Sequence, residues 1–175
     1  MNALLDYGLW ESPLGSMVLA ADGDALVGAW FEGQRHMPRI DASWRRRPES
    51  PVLRRAAIEL AEYFAGNRMR FDLPLAPAGT PFQHAVWSAI ATVPIGRTIT
   101  YAELAVRAGR PSSVRAAGAA TGRNPLSILI PCHRIVGADG ALTGYAGGLD
   151  RKRALLVLEH ADVEPAPARP PGRVI

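Results

Sequence analysis

The sequence predicts an α/β chain in two parts. The first is a small mixed α/β domain built on an antiparallel sheet; the second is a mostly helical domain with a helix-turn-helix. Three observations carry this. Short apolar runs separated by turn residues occupy positions 4–31, as in strands joined by tight turns. The stretch Ala76-Pro77-Ala78-Gly79 is a break rich in small residues and proline. Beyond it, Thr80-Pro81-Phe82-Gln83 and Thr100-Tyr101-Ala102-Glu103 both have the capping-box pattern that opens helices.

The strands are expected at 4–10, 15–20 and 25–31, divided by Ser12-Pro13 and by Asp22-Gly23-Asp24. Positions 34–50 are irregular and carry Arg35, Arg39, Arg45, Arg46 and Arg47, a charge run that reads as a solvated loop. Ser50 as N-cap and Pro51 at the first helical position start a helix. Its buried face is Leu53, Ala57, Leu60 and Phe64, and Gly66 ends it. A short strand is expected at 71–75. The linker then separates a domain at 1–76 from one at 80–161. In the second domain, Phe82, Val86, Ala89, Ile90 and Val93 mark the core face of the first helix. Leu104, Ala105 and Ala108 mark the next helix, which ends at Gly109. After Arg110-Pro111-Ser112, a third helix runs over 113–121 to Gly122. The last two have helix-turn-helix proportions, a generic pattern that by spacing alone leaves DNA binding open. An apolar run at 126–130 leads into Pro131-Cys132-His133-Arg134, then a glycine-rich loop at 137–148 and a helix at 151–160 capped by Asp150. The proline-rich tail, 162–175, is predicted to be disordered.

Composition narrows the function. Of 175 residues, 48% are hydrophobic and 21% charged, an ordinary globular balance. No run approaches the roughly 18 apolar residues of a spanning helix. The N-terminus lacks the basic and apolar regions of a secretory signal, so cytoplasmic residence is expected. A formal charge of +4 and a pI near 9.8 suit a polyanionic partner. A single cysteine excludes an intramolecular disulfide, a four-cysteine zinc site and a dithiol redox pair.

That cysteine, Cys132, precedes His133 and Arg134. A thiol beside an imidazole and a guanidinium is pushed toward thiolate, the nucleophilic form. His133 is the candidate base, acting directly or through one water. A base is usually oriented by a third group. Glu159 shares a helical face with Leu155 and Leu158, so it is either that partner or a solvated residue at the edge of the stripe.

The run from Asn124 to Ile135, NPLSILIPCHRI, resembles the active-site signature of the 6-O-alkylguanine-DNA alkyltransferases, the methylated-DNA–protein-cysteine methyltransferases. Flanking motifs match in order: Tyr101 in Thr-Tyr-Ala-Glu-Leu-Ala, Arg115 in Val-Arg-Ala-Ala-Gly-Ala-Ala, the segment GYAGGL at 144–149, and Arg-Ala-Leu-Leu leading to Glu159. Ser12-Pro13-Leu14-Gly15 and Phe31-Glu32-Gly33-Gln34 resemble the family's N-terminal domain.

The resemblance implies single-turnover DNA repair. An alkyl group would pass from 6-O-alkylguanine, and from 4-O-alkylthymine, in duplex DNA to Cys132, with the base flipped out of the stack. His133, oriented by Glu159, would deprotonate Cys132, and Asn124 would hold the chain near it. Tyr101 would help protonate the departing guanine or rotate its phosphate. Arg115 would fill the gap left by the base. Tyr145, Ala146 and Ser127 would shape the pocket, and Arg134 would lie on the substrate side. Ala146 stands where some relatives have serine, and Ser127 where some have proline. Ala116 and Gly118, in the small-residue run 116–120, would let the helix approach DNA closely; close helix packing explains that run equally well. The general geometry of helix-turn-helix proteins favours the major groove, whereas the family implies the minor groove. The resemblance implies a monomer, with cooperativity on DNA left open, and neither metal nor organic cofactor. A non-catalytic reader of alkylated bases, a regulator whose DNA affinity changes on Cys132 alkylation and a cysteine hydrolase are the rival classes; Cys132 argues against the first, the fused regulatory domains of the second are missing, and the neighbours of Cys132 match no hydrolase signature.

Overall fold

A computed structural model describes residues 4–163 of the chain. The N-terminal half is a four-stranded sheet, β1 (Leu5–Ser12), β2 (Gly15–Asp22), β3 (Ala25–Phe31) and β4 (Trp44–Arg46), in the order β3-β2-β1-β4. The first three strands are antiparallel, as expected. β4 has no counterpart among the expected strands, and it pairs parallel with β1, Leu5 opposite Trp44. The arginine-rich stretch is therefore not simply a solvated loop. It turns Met37 and Trp44 onto the outer face of the sheet, over Val18, Ala20 and Trp30, and Arg45 bonds Asp6 at 2.7 Å.

Helix α1 (Pro51–Phe64) follows Ser50, whose hydroxyl makes no cap bond, so Pro51 and the preset backbone start the helix. Its fully buried residues are Val52, Leu53, Ala56, Glu59, Leu60 and Tyr63, and the expected Ala57 and Phe64 are partly buried against the same core. Buried Glu59 accepts from Arg55 at 3.0 Å and from the Asp72 N–H at 2.9 Å. The expected strand at 71–75 reduces to one bridge, Leu26 to Leu75. Pro74 lies within it and has no N–H for a ladder.

In the second half, α2 (Pro81–Ala91) and α3 (Tyr101–Arg107) both start with complete capping boxes. α4 (Val114–Gly122) ends at Gly122, as expected, with Arg123 as its C-cap. The link from α3 to α4 spans 108–113, because Gly109 closes α3 at φ +77. Two-residue strands β5 (Ile99–Thr100) and β6 (Ile135–Val136) pair in parallel. α5 (Leu149–Leu158) starts from Gly148; Asp150 sits inside its first turn, not at the cap. The tail expectation falls, beyond Asp162 and Val163, outside the described residues.

The two halves share one core. Met17, Leu26 and Phe31 belong to the same buried cluster as Val86, Ile90, Leu126 and Leu155. The outer edge of β3 is the joint: Ala29 N–H donates to Pro125 O at 2.8 Å, and Ser127 N–H donates to Ala29 O at 2.9 Å. This covers an otherwise open strand edge and fixes the segment leading to Cys132 against the sheet. Leu126, fully buried at this joint, is therefore expected to matter to both halves. Leu126→Ala is expected to cost about 2–5 kcal/mol, with far-ultraviolet dichroism and tryptophan fluorescence still losing signal in one coincident denaturant transition.

Candidate active site

Cys132 opens a 3-10 turn, Cys132–Arg134, between the apolar segment and β6. The segment before it is not a strand. It is a pair of turns in which Ile128, a β-branched residue, takes φ +74, a conformation that costs on the order of 1–3 kcal/mol. Asn124 holds it there. Its side-chain amide donates to Ile130 O at 2.8 Å, and its Oδ1 accepts from Leu126 N–H at 2.9 Å. One buried amide and the β3 edge thus fix the segment along its length.

Glu159 caps the end of α5 and is only 4% exposed. It is the partner, not a solvated edge residue. Its Oε1 accepts from Tyr63 Oη at 2.7 Å and from Arg134 Nη2 at 2.8 Å; Oε2 accepts from Arg134 Nε at 2.9 Å. His133 Nε2 lies 2.7 Å from Oε1. Burial alone would raise the carboxyl pKa, but the bonds and charges of His133 and Arg134 outweigh it and bring it to about 2. An ionised carboxylate only accepts, so Nε2 carries the hydrogen and donates it. The Nδ1 of His133 is then an open lone pair, buried and without a hydrogen-bond partner. Burial holds the imidazole below its ordinary pKa, and the neighbouring Glu159 opposes this without reversing it. A neutral histidine with a free Nδ1 is the form a general base needs.

Arg134 is only 7% exposed, and its third group, Nη1, donates to Val93 O at 2.6 Å. Its expected place on the substrate side is therefore corrected: with Nε and both Nη groups bonded inside the protein, it serves to clamp Glu159. The expectation that His133 and Arg134 acidify the thiol also fails. Burial pushes the Cys132 thiol up; what offsets this is Asn124 and the ammonium of Lys152.

Sequence reasoning missed Lys152 and Tyr63. Lys152 is fully buried on α5, and its Nζ donates to the carbonyls of Ile135, Thr143 and Gly144. Burial lowers its pKa to about 8, with Cys132 acting in the opposite sense. Its position one turn before Leu156, on the inner side of α5, was the available signal. For Tyr63 the signal was the spacing from Leu53, Ala56 and Leu60, which puts it on the same face.

Of the remaining expected residues, Tyr101 and Tyr145 lie within electrostatic reach of the thiol. Tyr101 Oη donates to Thr143 O at 3.1 Å, and both Tyr101 and Tyr145 have pKa values raised first by burial and then by Cys132. The Tyr145 hydroxyl is buried with no hydrogen-bond partner. Gly118 faces the Tyr101 ring, where a Cβ would stand 3.7 Å away. Ser127 is buried, and its hydroxyl donates to Gln34 Oε1 at 3.2 Å. Ala146 is half-buried. Arg115 and Ala116 are exposed on α4, as are Arg107, Arg110 and Arg123 around it, a basic outer face for the helix pair. No helix among the described residues is long and apolar enough to cross a membrane.

A buried thiol, a carboxylate-held histidine with an open nitrogen and a helix pair with a basic face define a cysteine-nucleophile protein of the DNA-binding class. The chain belongs to the 6-O-methylguanine DNA methyltransferase family: residues 5–77 match its ribonuclease-like domain and residues 81–161 its DNA-binding domain. Among its relatives, the methylated-DNA–protein-cysteine methyltransferase of Methanosarcina acetivorans is 45% identical over 153 residues, covering 87% of this chain and 97% of that protein. The enzyme of the same description from Haemophilus influenzae is 42% identical, covering 91% of this chain and 88% of its own. The fold is similar to a crystal structure of Mycobacterium tuberculosis OGT in complex with DNA, with a TM-score of 0.82 and 42% identity over 89% of this chain and 92% of that one.

Two outcomes follow from the electrostatics. Glu159 has a folded pKa below its unfolded value, so its stabilisation is complete above about 4.3 and is lost as pH falls toward 2. Glu159→Gln is therefore expected to flatten the acid limb of a stability-against-pH curve measured by urea midpoints. Lys152→Met removes the cation that favours the thiolate, so the pH profile of Cys132 alkylation by iodoacetamide is expected to move to higher pH.

Proposed function

We propose that Cys132 is the residue that accepts the alkyl group, taking it from 6-O-alkylguanine in duplex DNA once per protein molecule. DNA repair by alkyl transfer to a cysteine is the chemistry of the family, and DNA is the partner. The observation that carries the residue-level reading is the open Nδ1 of His133, held neutral by burial and oriented by a carboxylate that is itself locked by Arg134 and Tyr63.

The thiol proton passes through a water to His133 Nδ1 as sulfur attacks the alkyl carbon. The carbon–oxygen bond breaks, its electron pair stays with guanine, and the base is neutralised by a proton, with Tyr101 as donor. The Tyr101 hydroxyl carries its proton throughout the neutral range, its pKa raised by burial. The thioether product has no leaving group, so turnover stops after one event. The target oxygen is out of reach inside a duplex, so the base leaves the stack and Arg115, exposed on α4, takes its place. Ala116 and Gly118 allow close approach through the minor groove, and Tyr145, Ala146 and Ser127 border the base. The same site takes 4-O-alkylthymine. In this reading positions 80–161 bind DNA and carry the chemistry, positions 1–76 support them, and the protein works as a monomer in the cytoplasm without a cofactor.

Intact-mass and peptide spectrometry after incubation with methylated duplex tests this. One methyl on the peptide containing Cys132 is expected; repeated turnover, or a methyl elsewhere, refutes it. His133→Ala is expected to slow transfer by roughly 10²–10⁴-fold with DNA affinity nearly unchanged. Arg115→Ala is expected to slow transfer from saturating duplex far more than transfer from free 6-O-benzylguanine, which has no stack to leave. Equal losses on both substrates would remove Arg115 from extrusion.

A further inference from the structure

The loop at 144–148 carries Tyr145 and Ala146, and it has little regular structure of its own. Gly144 and Gly148 take positive φ, 56 and 92, and neither a strand nor a helix holds the residues between them. Its anchors come from elsewhere. Arg151, on the first turn of α5, donates from Nε to Leu14 O in the β1–β2 turn at 2.9 Å and from Nη1 to Gly147 O at 3.0 Å. Its guanidinium lies 4.5 Å from the centre of the Phe31 ring. The Arg35 N–H donates to Ala146 O at 3.1 Å. Gly147 is buried between two rings: a Cβ there would stand 2.9 Å from Tyr145 and 3.1 Å from Phe31. Phe31, at the end of β3, therefore backs both the guanidinium and the glycine on which the Tyr145 ring rests.

We infer that Arg151, stacked on Phe31, is a positioning residue for capture of the alkylated base: it locks the Tyr145 loop to the β1–β2 turn, so that the N-terminal half sets the shape of the base pocket. The inference rests on the proposed reading in which this loop borders the base. A loop already held in its bound shape loses little freedom when the base enters, whereas a loop that must be ordered on binding weakens apparent affinity by the fraction of time it is out of place. Arg151 suits this work. A planar guanidinium can donate along two edges while its face rests on an aromatic ring, and a lysine ammonium cannot reproduce that geometry. None of its partners touches Cys132, His133 or Glu159 in the bonds described above. Its loss therefore acts on binding of the base and leaves the chemical step alone.

The test is single-turnover benzyl transfer to Cys132 from free 6-O-benzylguanine, followed by intact mass over a range of base concentrations. Alkylation of Cys132 by iodoacetamide is measured in parallel. Arg151→Ala is expected to raise the half-saturating base concentration by at least about fivefold, the low end of couplings between distinct sites, with the saturating rate and the iodoacetamide rate close to wild type. Arg151→Lys, which keeps a cation over Phe31, is expected to fall between, and Phe31→Leu to shift half-saturation in the same direction. An unchanged half-saturation in Arg151→Ala would overturn the inference. So would parallel falls in saturating rate and iodoacetamide reactivity, since they would mark general damage to the site. Failure of the wild-type protein to take a benzyl group, with Cys132 still reactive to iodoacetamide, would overturn the underlying reading of the pocket and the inference with it.

Discussion

The carboxylate of Glu159 collects its hydrogen bonds from separate parts of the chain: Tyr63 from α1, and His133 and Arg134 from the turn that begins with Cys132, while its own backbone is tied to the end of α5. A buried charge survives only when it is paired and fully bonded, so these elements must meet before any of them is stable in place. The same set of bonds decides the protonation of His133. Because an ionised carboxylate only accepts, the histidine is left with one possible tautomer, and its Nδ1 remains open. Structure and chemistry thus depend on a single ion.

The N-terminal sheet is more than a neighbour to this arrangement. Its third strand extends its edge hydrogen bonding into Pro125 and Ser127, and its end places Phe31 against Gly147 and Gln34 against Ser127. Strand edges are usually covered to prevent association. Here the cover is the polypeptide that leads into Cys132. A backbone held in an unfavourable conformation at Ile128 is tolerated because the edge bonds and Asn124 over-determine it.

The thiol itself sits in an environment that opposes its ionisation, since burial raises its pKa. Two buried groups work against that: Asn124 by hydrogen bonding and Lys152 by its charge. Lys152 has no carboxylate near it in its bonding set, only three carbonyls. An ammonium paired with an acid would present little net field to the sulfur; one held by carbonyl dipoles keeps its charge directed there. The result is a thiol that is protonated at rest, with a fixed cation favouring its ionised form.

Much of the fold was legible in the sequence because its signals are local. Two capping boxes, an alternation of apolar runs with turn residues, and a proline-rich break identified the elements, since a side chain that bonds its own backbone three residues away needs no tertiary context. The motif around Cys132 and the stripe ending in Glu159 pointed to the Cys132–Glu159 cluster for the same reason. What only the tertiary structure decided depends on residues distant in sequence. The three-residue β4 has no pattern of its own and exists because Trp44 covers the outer face of the sheet. Arg134, two positions from Cys132 in sequence, bonds Glu159 and Val93 inside the protein, and Lys152, twenty positions away, supplies the charge that acts on the thiol. Sequence adjacency sets which groups share a turn; which of them share a field is set by packing, because electrostatic influence falls with distance in space and grows with burial.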